Sequence, residues 1–262
     1  MAGRDPRSAR HAPYRAPDRH FLRQRLAAAV VAGAHVQQHE LVLDIGAGTG
    51  RLTRELVRAG ARVQAIELDP RQADQLRRRF AGCRAVTVVE GDALRVPLPQ
   101  EPFRVVANVP FGRTTAILRR LLDDPRVPLV RADVIVEWGL ARKRAACSPS
   151  SLLGVCWSAW FEPLLVRRLP RGCFEPPPSV DAGLLRLARR SEPLVAIRDA
   201  PAFRRFVRHG FEDGLPAGRA AKRVYRELGV ARGTTARELD VYQWAELFDA
   251  LRPAAARANV YP

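Results

Sequence analysis

Four consecutive residues, Asn108-Val109-Pro110-Phe111, carry the groups needed to hold an aromatic amine for reaction. The exocyclic nitrogen of adenine is a poor nucleophile because its lone pair is delocalised into the ring. Accepting hydrogen bonds from its amino hydrogens favours the tetrahedral, reactive nitrogen. The Asn108 side-chain oxygen and the Val109 or Pro110 carbonyl can accept them, and Pro110 fixes the backbone in advance. Phe111 offers a flat face on which an extruded base can stack, worth about 1–3 kcal/mol. Asn108, Pro110 and Phe111 are therefore the candidate catalytic residues. Methyl transfer from a sulfonium donor is a direct displacement, so proximity and orientation supply most of the acceleration. Standing alone, the same tetrapeptide is equally an ordinary β-turn.

A second motif lies upstream. In Asp44-Ile45-Gly46-Ala47-Gly48-Thr49-Gly50 the glycines follow an expected strand and precede an expected helix. That context lets a nucleoside cofactor approach the backbone closely. Position 51 is Arg51 rather than glycine, which weakens a dinucleotide reading. Glu67 closes the next strand, 21 residues past Gly46, where a carboxylate accepts hydrogen bonds from ribose hydroxyls. Asp92 ends the third strand, positioned for an adenine amino group. A structural glycine turn beside surface acids is the bland alternative. The coincidence of Glu67, Asp92 and Asn108 at carboxyl ends of strands argues against it, because ligands bind there in open α/β sheets.

The elements that must position these residues follow from periodicity. A helix is expected over Phe21–Val36, with Leu22, Leu26, Ala29, Val30 and Gly33 on one face. Strands are expected at Leu41–Ile45, Val63–Ile66, Val86–Val89, Phe103–Ala107 and Val134–Glu137. Helices are expected at Leu52–Ala59, Arg71–Phe80 and Thr115–Leu122. Two further strands at Glu162–Leu169 and Gly183–Leu187, with no long helix between them, imply an antiparallel end to a doubly wound, mostly parallel sheet. After Arg189-Arg190-Ser191-Glu192-Pro193 the pattern becomes helical, and Thr235-Ala236-Arg237-Glu238 has the form of a capping box. The expected division is a flexible basic arm over 1–18, an α/β domain over 19–190 and a helical domain over 191–262.

Composition narrows the partners. The 262 residues are 47% hydrophobic and carry a formal net charge of +17, almost all of it arginine, since only Lys143 and Lys222 are lysines. A surplus of this size is the footprint of a polyanion, nucleic acid or an anionic membrane face. Nucleic acid fits better, because no apolar run approaches the roughly 20 residues that span a bilayer. The charged start, Met1 to Arg7, lacks an apolar stretch, so a cytoplasmic location is expected. Cys83, Cys147, Cys156 and Cys173 show no metal-ligand spacing and read as reduced, mostly buried thiols; no metal is expected. The basic arm, Arg142-Lys143-Arg144 and Arg204-Arg205-Arg208 are candidates for phosphate contact, with Arg167-Arg168 a weaker one. For any one cluster the alternative is a solvated face.

Taken together, these motifs resemble the Erm family, which methylates N6 of one adenine in 23S rRNA, and its relatives that dimethylate adenines of small-subunit rRNA. The stretches that carry the resemblance are His20-Phe21-Leu22, Asp44–Gly50, Ala65–Asp69, Gly91–Leu94, Asn108–Phe111 and Phe174–Asp181. The resemblance implies a Rossmann-like class I S-adenosylmethionine methyltransferase domain with a small C-terminal helical domain, acting as a monomer. It implies that His20 and Leu22 flank S-adenosylmethionine and that Gly46 and Gly48 lie along it. Glu67 would meet the ribose, Asp92 the cofactor adenine, and Asn108 both cofactor and target. Two positions depart from the family pattern: Arg19 replaces a usual glutamine, and Phe111 replaces a usual tyrosine and lacks its hydroxyl. The Phe111–Thr115 and Trp138–Arg144 segments look more like Erm enzymes of actinomycetes. That branch implies 23S rRNA as substrate and resistance to macrolides, lincosamides and streptogramin B. The other branch implies 16S rRNA. A NAD(P)-dependent oxidoreductase and a non-enzymatic RNA chaperone of the same fold are the competing classes; the first leaves Asn108–Phe111 unexplained, and the second leaves Glu67, Asp92 and Asn108 without a role.

Overall fold

Short, nearly continuous apolar runs are what strands need when both faces of a sheet are covered, and seven such runs form one sheet here. The structure is a computed structural model and describes residues 20–146 and 150–252. The expected basic arm, Arg19, Cys147 and the last ten residues lie outside the described residues. The chain enters through β1 (Phe21–Leu22), α1 (Gln24–Ala34), β2 (Leu41–Ile45), α2 (Arg51–Arg58), β3 (Arg62–Glu67), α3 (Pro70–Arg79) and β4 (Val86–Glu90). It then crosses back through β5 (Phe103–Asn108), α4 (Thr114–Leu122), β6 (Leu129–Glu137), α5 (Trp138–Arg144) and α6 (Leu152–Ser158). β7 (Phe161–Leu169), β8 (Phe174–Glu175) and β9 (Ala182–Arg189) follow, and α7 (Ala200–Glu212), α8 (Arg219–Glu227) and α9 (Val241–Leu251) end the described chain.

The sheet order is β4-β3-β2-β5-β6-β9-β7, parallel from β4 to β6, with β9 running antiparallel to both of its neighbours, β6 and β7. The antiparallel end expected from the uninterrupted last strands is present. Between β2 and β5 the order reverses, so the loops after these strands diverge and leave a crevice at their carboxyl ends. The alternation of side chains assigns one face to each helical layer. Val42, Val106, Ile135 and Leu184 pack with Val30, Val31, Leu52 and Leu56 of α1 and α2. Their neighbours Leu43, Val105, Val134 and Leu185 pack with Ile117, Leu118 and Leu121 of α4 on the other side. That second cluster continues into the C-terminal helices through Trp160, Phe203, Trp244 and Phe248. The rings of Trp160 and Phe203, and of Phe203 and Phe248, meet edge-on at 5.8 and 5.3 Å between centroids.

Three sequence expectations differ from the structure. The first helix starts at Gln24, not Phe21, because Phe21 and Leu22 pair antiparallel with Glu175 and Phe174 as a small second sheet. Its buried face is Ala27, Val30, Val31 and Ala34. The capping box lies five residues further on. Thr235 and Glu238 close a turn, whereas Asp240 and Gln243 make the reciprocal bonds that start α9. Leu239, fully buried between the two, fixes the later start. Of the described cysteines only Cys156 is buried; Cys83 and Cys173 are partly exposed.

Much of the arginine surplus is structural. Arg189 donates to the carbonyls of Leu129, Pro125 and Val127 at 2.8, 3.0 and 2.6 Å. Arg104 donates to the Ala34 carbonyl at 2.8 Å. Such guanidiniums satisfy loop and helix-end carbonyls that would otherwise lack donors.

Candidate active site

The turn after β2 is shaped by its glycines. Gly46, Gly48 and Gly50 have φ of 73°, 53° and 73°, a region that costs side-chain-bearing residues strain. Space opposes a side chain at Gly48 as well, where a Cβ would sit 2.7 Å from the Phe21 ring; at Gly46 a Cβ would only touch Pro110 at 3.4 Å, so there the backbone angle decides. The Gly46 and Ala47 amides donate to the Ile66 carbonyl at 2.9 and 3.1 Å, and Gly48 donates to Glu67 Oε2 at 2.8 Å. Glu67 Oε1 accepts from the Asp69 amide at 2.9 Å. The carboxylate, only 8% exposed, is thus held by two backbone donors with lone pairs left over for a ligand.

A cavity of about 320 Å³ opens at the carboxyl ends of these strands. Of the residues singled out from sequence, His20, Gly46, Gly48, Glu67, Asp92, Asn108, Pro110 and Phe111 all line it. Leu22 does not. It is 3% exposed, turned into the apolar cluster beneath α1, and reaches only a recess of about 30 Å³ behind the glycine turn. Successive residues of a strand point to opposite sides, so Phe21 takes the cavity side instead.

Asn108 is held at one end of its amide and left open at the other. Its Nδ2 donates to the His20 carbonyl at 2.6 Å, and its Oδ1 is buried without a partner among the described residues. Since a carbonyl can only accept, the amide nitrogen must face His20 and the amide oxygen must face away from it. Of the two carbonyls expected to assist, that of Pro110 is already engaged, accepting from the Arg113 amide at 2.9 Å and from Thr114 Oγ1 at 3.2 Å. The Phe111 ring lies 6.1 Å from His20 between centroids, tilted by 42°.

Three sets of contacts that shape the site were not visible in the sequence. Arg51 donates to the Leu22 carbonyl at 2.6 Å and pairs with Glu175 at 3.2 Å, so it ties β1 and β8 to the glycine turn. His20 Nδ1 lies 3.0 Å from the Pro176 carbonyl, which fastens the same strap over the cavity. Arg113 pairs with Asp92 at 2.8 Å. No spacing rule marks these residues, since their partners are 21 to 156 positions away.

Asp44, 1% exposed, lies beneath the turn and accepts from Thr53 Oγ1 at 2.6 Å. Burial pushes its pKa from 3.8 up to about 7, against the pull of the Thr53 bonds and with a small push from Glu67. The folded chain therefore keeps a proton that the unfolded chain has released, and its contribution to stability falls as pH rises from 3.8 to about 7. Carboxylates held below their usual range, such as Asp92 and Asp123, tilt stability the other way, so the expected result in urea unfolding is that Asp44→Asn falls less, or rises more, across that range than wild type. An unchanged slope in the variant would contradict the assignment.

The basic clusters divide. Arg142 and Lys143 are exposed on α5, at the sheet edge that carries the cavity. Arg144, expected to share their role, is only 9% exposed; its guanidinium stacks 4.9 Å over Trp157 and donates to Ser151. Arg204 is half-buried and tethered to Asp123, donating to its carbonyl at 2.6 Å and pairing with its carboxylate at 3.3 Å. Helical geometry explains Arg144, because neighbouring residues on one helix face different ways; Arg204 shares a face with Arg208 and is set apart by its tether to Asp123. Arg205 and Arg208 are exposed. Among the described residues no group of three or more His, Cys, Asp or Glu is placed to hold a metal, and no helix is long and apolar enough to cross a membrane.

Comparison with known proteins decides the family. The model of the ribosomal RNA adenine dimethylase family matches residues 18–215. The chain belongs to that family. It is accordingly an rRNA adenine N6-methyltransferase that takes its methyl group from S-adenosylmethionine, and the cavity with its orphaned acceptor and anchored carboxylates fits that cofactor. The chain is 38% identical over 226 residues to the mycinamicin-resistance protein MyrB of Micromonospora griseorubida, covering 82% of this chain and 71% of that one. It is 34% identical over 239 residues to a ribosomal RNA small subunit methyltransferase A of a Synechococcus strain, covering 84% of each. Among solved structures, the 23S rRNA methyltransferase ErmE superposes with a TM-score of 0.76 at 31% identity, over 88% of this chain and 99% of that one.

Proposed function

We propose that this family member methylates N6 of one adenine in 23S rRNA and so confers resistance to macrolides, lincosamides and streptogramin B. The observation that carries the reading is the pairing of the mycinamicin-resistance relative with the ErmE likeness across most of the chain. The Synechococcus relative supports a second reading, dimethylation of 16S rRNA. Equimolar 23S and 16S transcripts, offered together with labelled S-adenosylmethionine, separate the two. Label in 23S is expected; label confined to 16S would replace the first reading with the second.

In this proposal the bound cofactor supplies a sulfonium methyl group for direct displacement. Glu67 accepts from the ribose hydroxyls while Gly48 and Asp69 hold its carboxylate, and Asp92 meets the adenine end. Gly46 and Gly48 leave the backbone open to the cofactor, and His20 covers it. Asn108 Oδ1, with its amide turned by the His20 carbonyl, accepts one hydrogen bond from the target amino group. With Pro110 O occupied, Val109 O is the carbonyl left of the two for the second. Phe111 stacks the target base, which must be extruded from its surroundings to be reached. Fixed acceptors need no reorganisation as charge develops on the nitrogen, and that is how such a site lowers the barrier.

Arg142, Lys143, Arg205 and Arg208 are proposed to contact RNA phosphates, with the helices between Ala200 and Leu251 adding a surface to the catalytic part. Arg142→Ala and Lys143→Ala should each lower the salt dependence of rRNA binding by about one in log–log slope. Arg144→Ala should instead lower the unfolding midpoint and leave the slope unchanged. The reverse pattern, read from binding titrations at several salt concentrations, would contradict this division.

A further inference from the structure

Arg113 joins two parts of the site, the loop that carries Asp92 and the turn that carries Phe111. It ends the turn that begins at Pro110 and carries Phe111, and its own amide closes that turn on the Pro110 carbonyl at 2.9 Å. From there its side chain reaches Asp92, beyond β4, and Nη2 donates to Oδ2 at 2.8 Å. Asp92 Oδ1 is held from behind by the Leu94 amide at 2.9 Å. Burial works to raise the Asp92 pKa, but the Leu94 amide and the Arg113 guanidinium outweigh it and keep the carboxyl below its ordinary value, with Arg95 adding charge. The carboxylate is therefore ionised before any ligand arrives. Both residues line the cavity. The contact is a single Nη2–Oδ2 bond on a side chain 41% exposed, so a ligand that covers the pair strengthens it by excluding water.

We propose that Arg113 is a positioning residue that couples the cofactor-adenine subsite to the target-base platform, so that cofactor and target adenine bind cooperatively. This rests on the assignment of Asp92 to the cofactor adenine. A nucleoside whose amino group donates to Asp92 fixes the carboxylate, the carboxylate fixes the guanidinium, and the guanidinium fixes the turn that presents Phe111. Coupling of this kind is reciprocal, since each ligand tightens the other by the same factor. The ion pair also makes the order of assembly useful: the platform is set most firmly when a methyl donor is in place.

The test measures a ratio rather than an affinity. Binding of the rRNA transcript that accepts the methyl group is titrated with and without S-adenosylhomocysteine, for wild type, Arg113→Gln and Arg113→Lys. Wild type should bind the transcript at least about 5-fold more tightly with the nucleoside present, at the lower end of usual coupling factors. Arg113→Gln should bring that ratio close to one, and Arg113→Lys should restore part of it. A ratio of one in wild type, or an undiminished ratio in Arg113→Gln, would overturn the proposal. So would an equal loss of RNA affinity with and without the nucleoside, which marks a plain phosphate contact. If wild type bound no S-adenosylhomocysteine at all, the cofactor assignment itself would fall, a result distinct from all of these.

Discussion

Asn108→Ala is expected to slow methyl transfer about 100- to 1,000-fold, the usual effect of deleting one fixed hydrogen-bonding group aimed at a developing charge. Affinity for rRNA should change little, because the amide serves one atom of the target and no phosphate. The expectation rests on how the side chain is held. Nδ2 has a partner in the His20 carbonyl, Oδ1 has none among the described residues, and burial makes an unpartnered acceptor unfavourable until an amino group reaches it. Asn108→Asp is the informative companion. A carboxylate has no hydrogen to donate to the His20 carbonyl, so the strap over the cavity should loosen and the KM for S-adenosylmethionine should rise together with the fall in kcat. Single-turnover rates and binding titrations on the same preparations separate these effects. Transfer at the wild-type rate in Asn108→Ala would remove the proposed catalytic role.

The largest expected effect on stability belongs to Asp133, away from the site. It is 1% exposed at the centre of the sheet. It accepts from Arg131 Nε at 2.6 Å and from Arg186 Nε at 2.8 Å, and both guanidiniums also donate to the Gly33 carbonyl. Arg186 and Asp133 are direct cross-strand partners on β9 and β6. Asp133→Ala leaves two adjacent like charges with one carbonyl between them, so unfolding free energy should fall by about 3–5 kcal/mol. The arginine side chains keep 14% and 20% of their surface exposed, which favours the lower end of that range. Asp133→Ala/Arg131→Leu/Arg186→Leu should recover much of the loss by removing the charges along with the carboxylate. A loss below about 1 kcal/mol for Asp133→Ala, measured by urea unfolding, would show that water compensates the pair.

Legibility in the sequence followed the range of the interactions involved. The strands from Leu41 to Asn108 announce themselves as apolar runs, and their order follows from the alternation with helices. The cavity residues at strand ends, Gly46, Glu67, Asp92 and Asn108, were readable for the same reason, since position along a strand fixes position at the sheet edge. What escaped was set by distant partners. Phe21 and Leu22 look like the start of a helix because their pairing with Glu175 and Phe174 lies some 150 positions away. Arg51 and Arg113 look like two more cations in an arginine-rich chain until Glu175 and Asp92 are seen beside them. The same limit applies to the charge surplus. Arg104, Arg131, Arg186 and Arg189 serve internal carbonyls and carboxylates, and only the three-dimensional arrangement separates them from exposed Arg142, Arg205 and Arg208.

The central claim is that this site delivers a methyl group to the exocyclic nitrogen of adenine in rRNA. Its most direct test is mass spectrometry of nucleosides from an rRNA transcript incubated with the protein and S-adenosylmethionine. N6-methyladenosine or N6,N6-dimethyladenosine is expected as the new nucleoside, forming far more slowly when Asn108→Ala replaces wild type. A methyl group on another base, on a ring nitrogen or on ribose would contradict it.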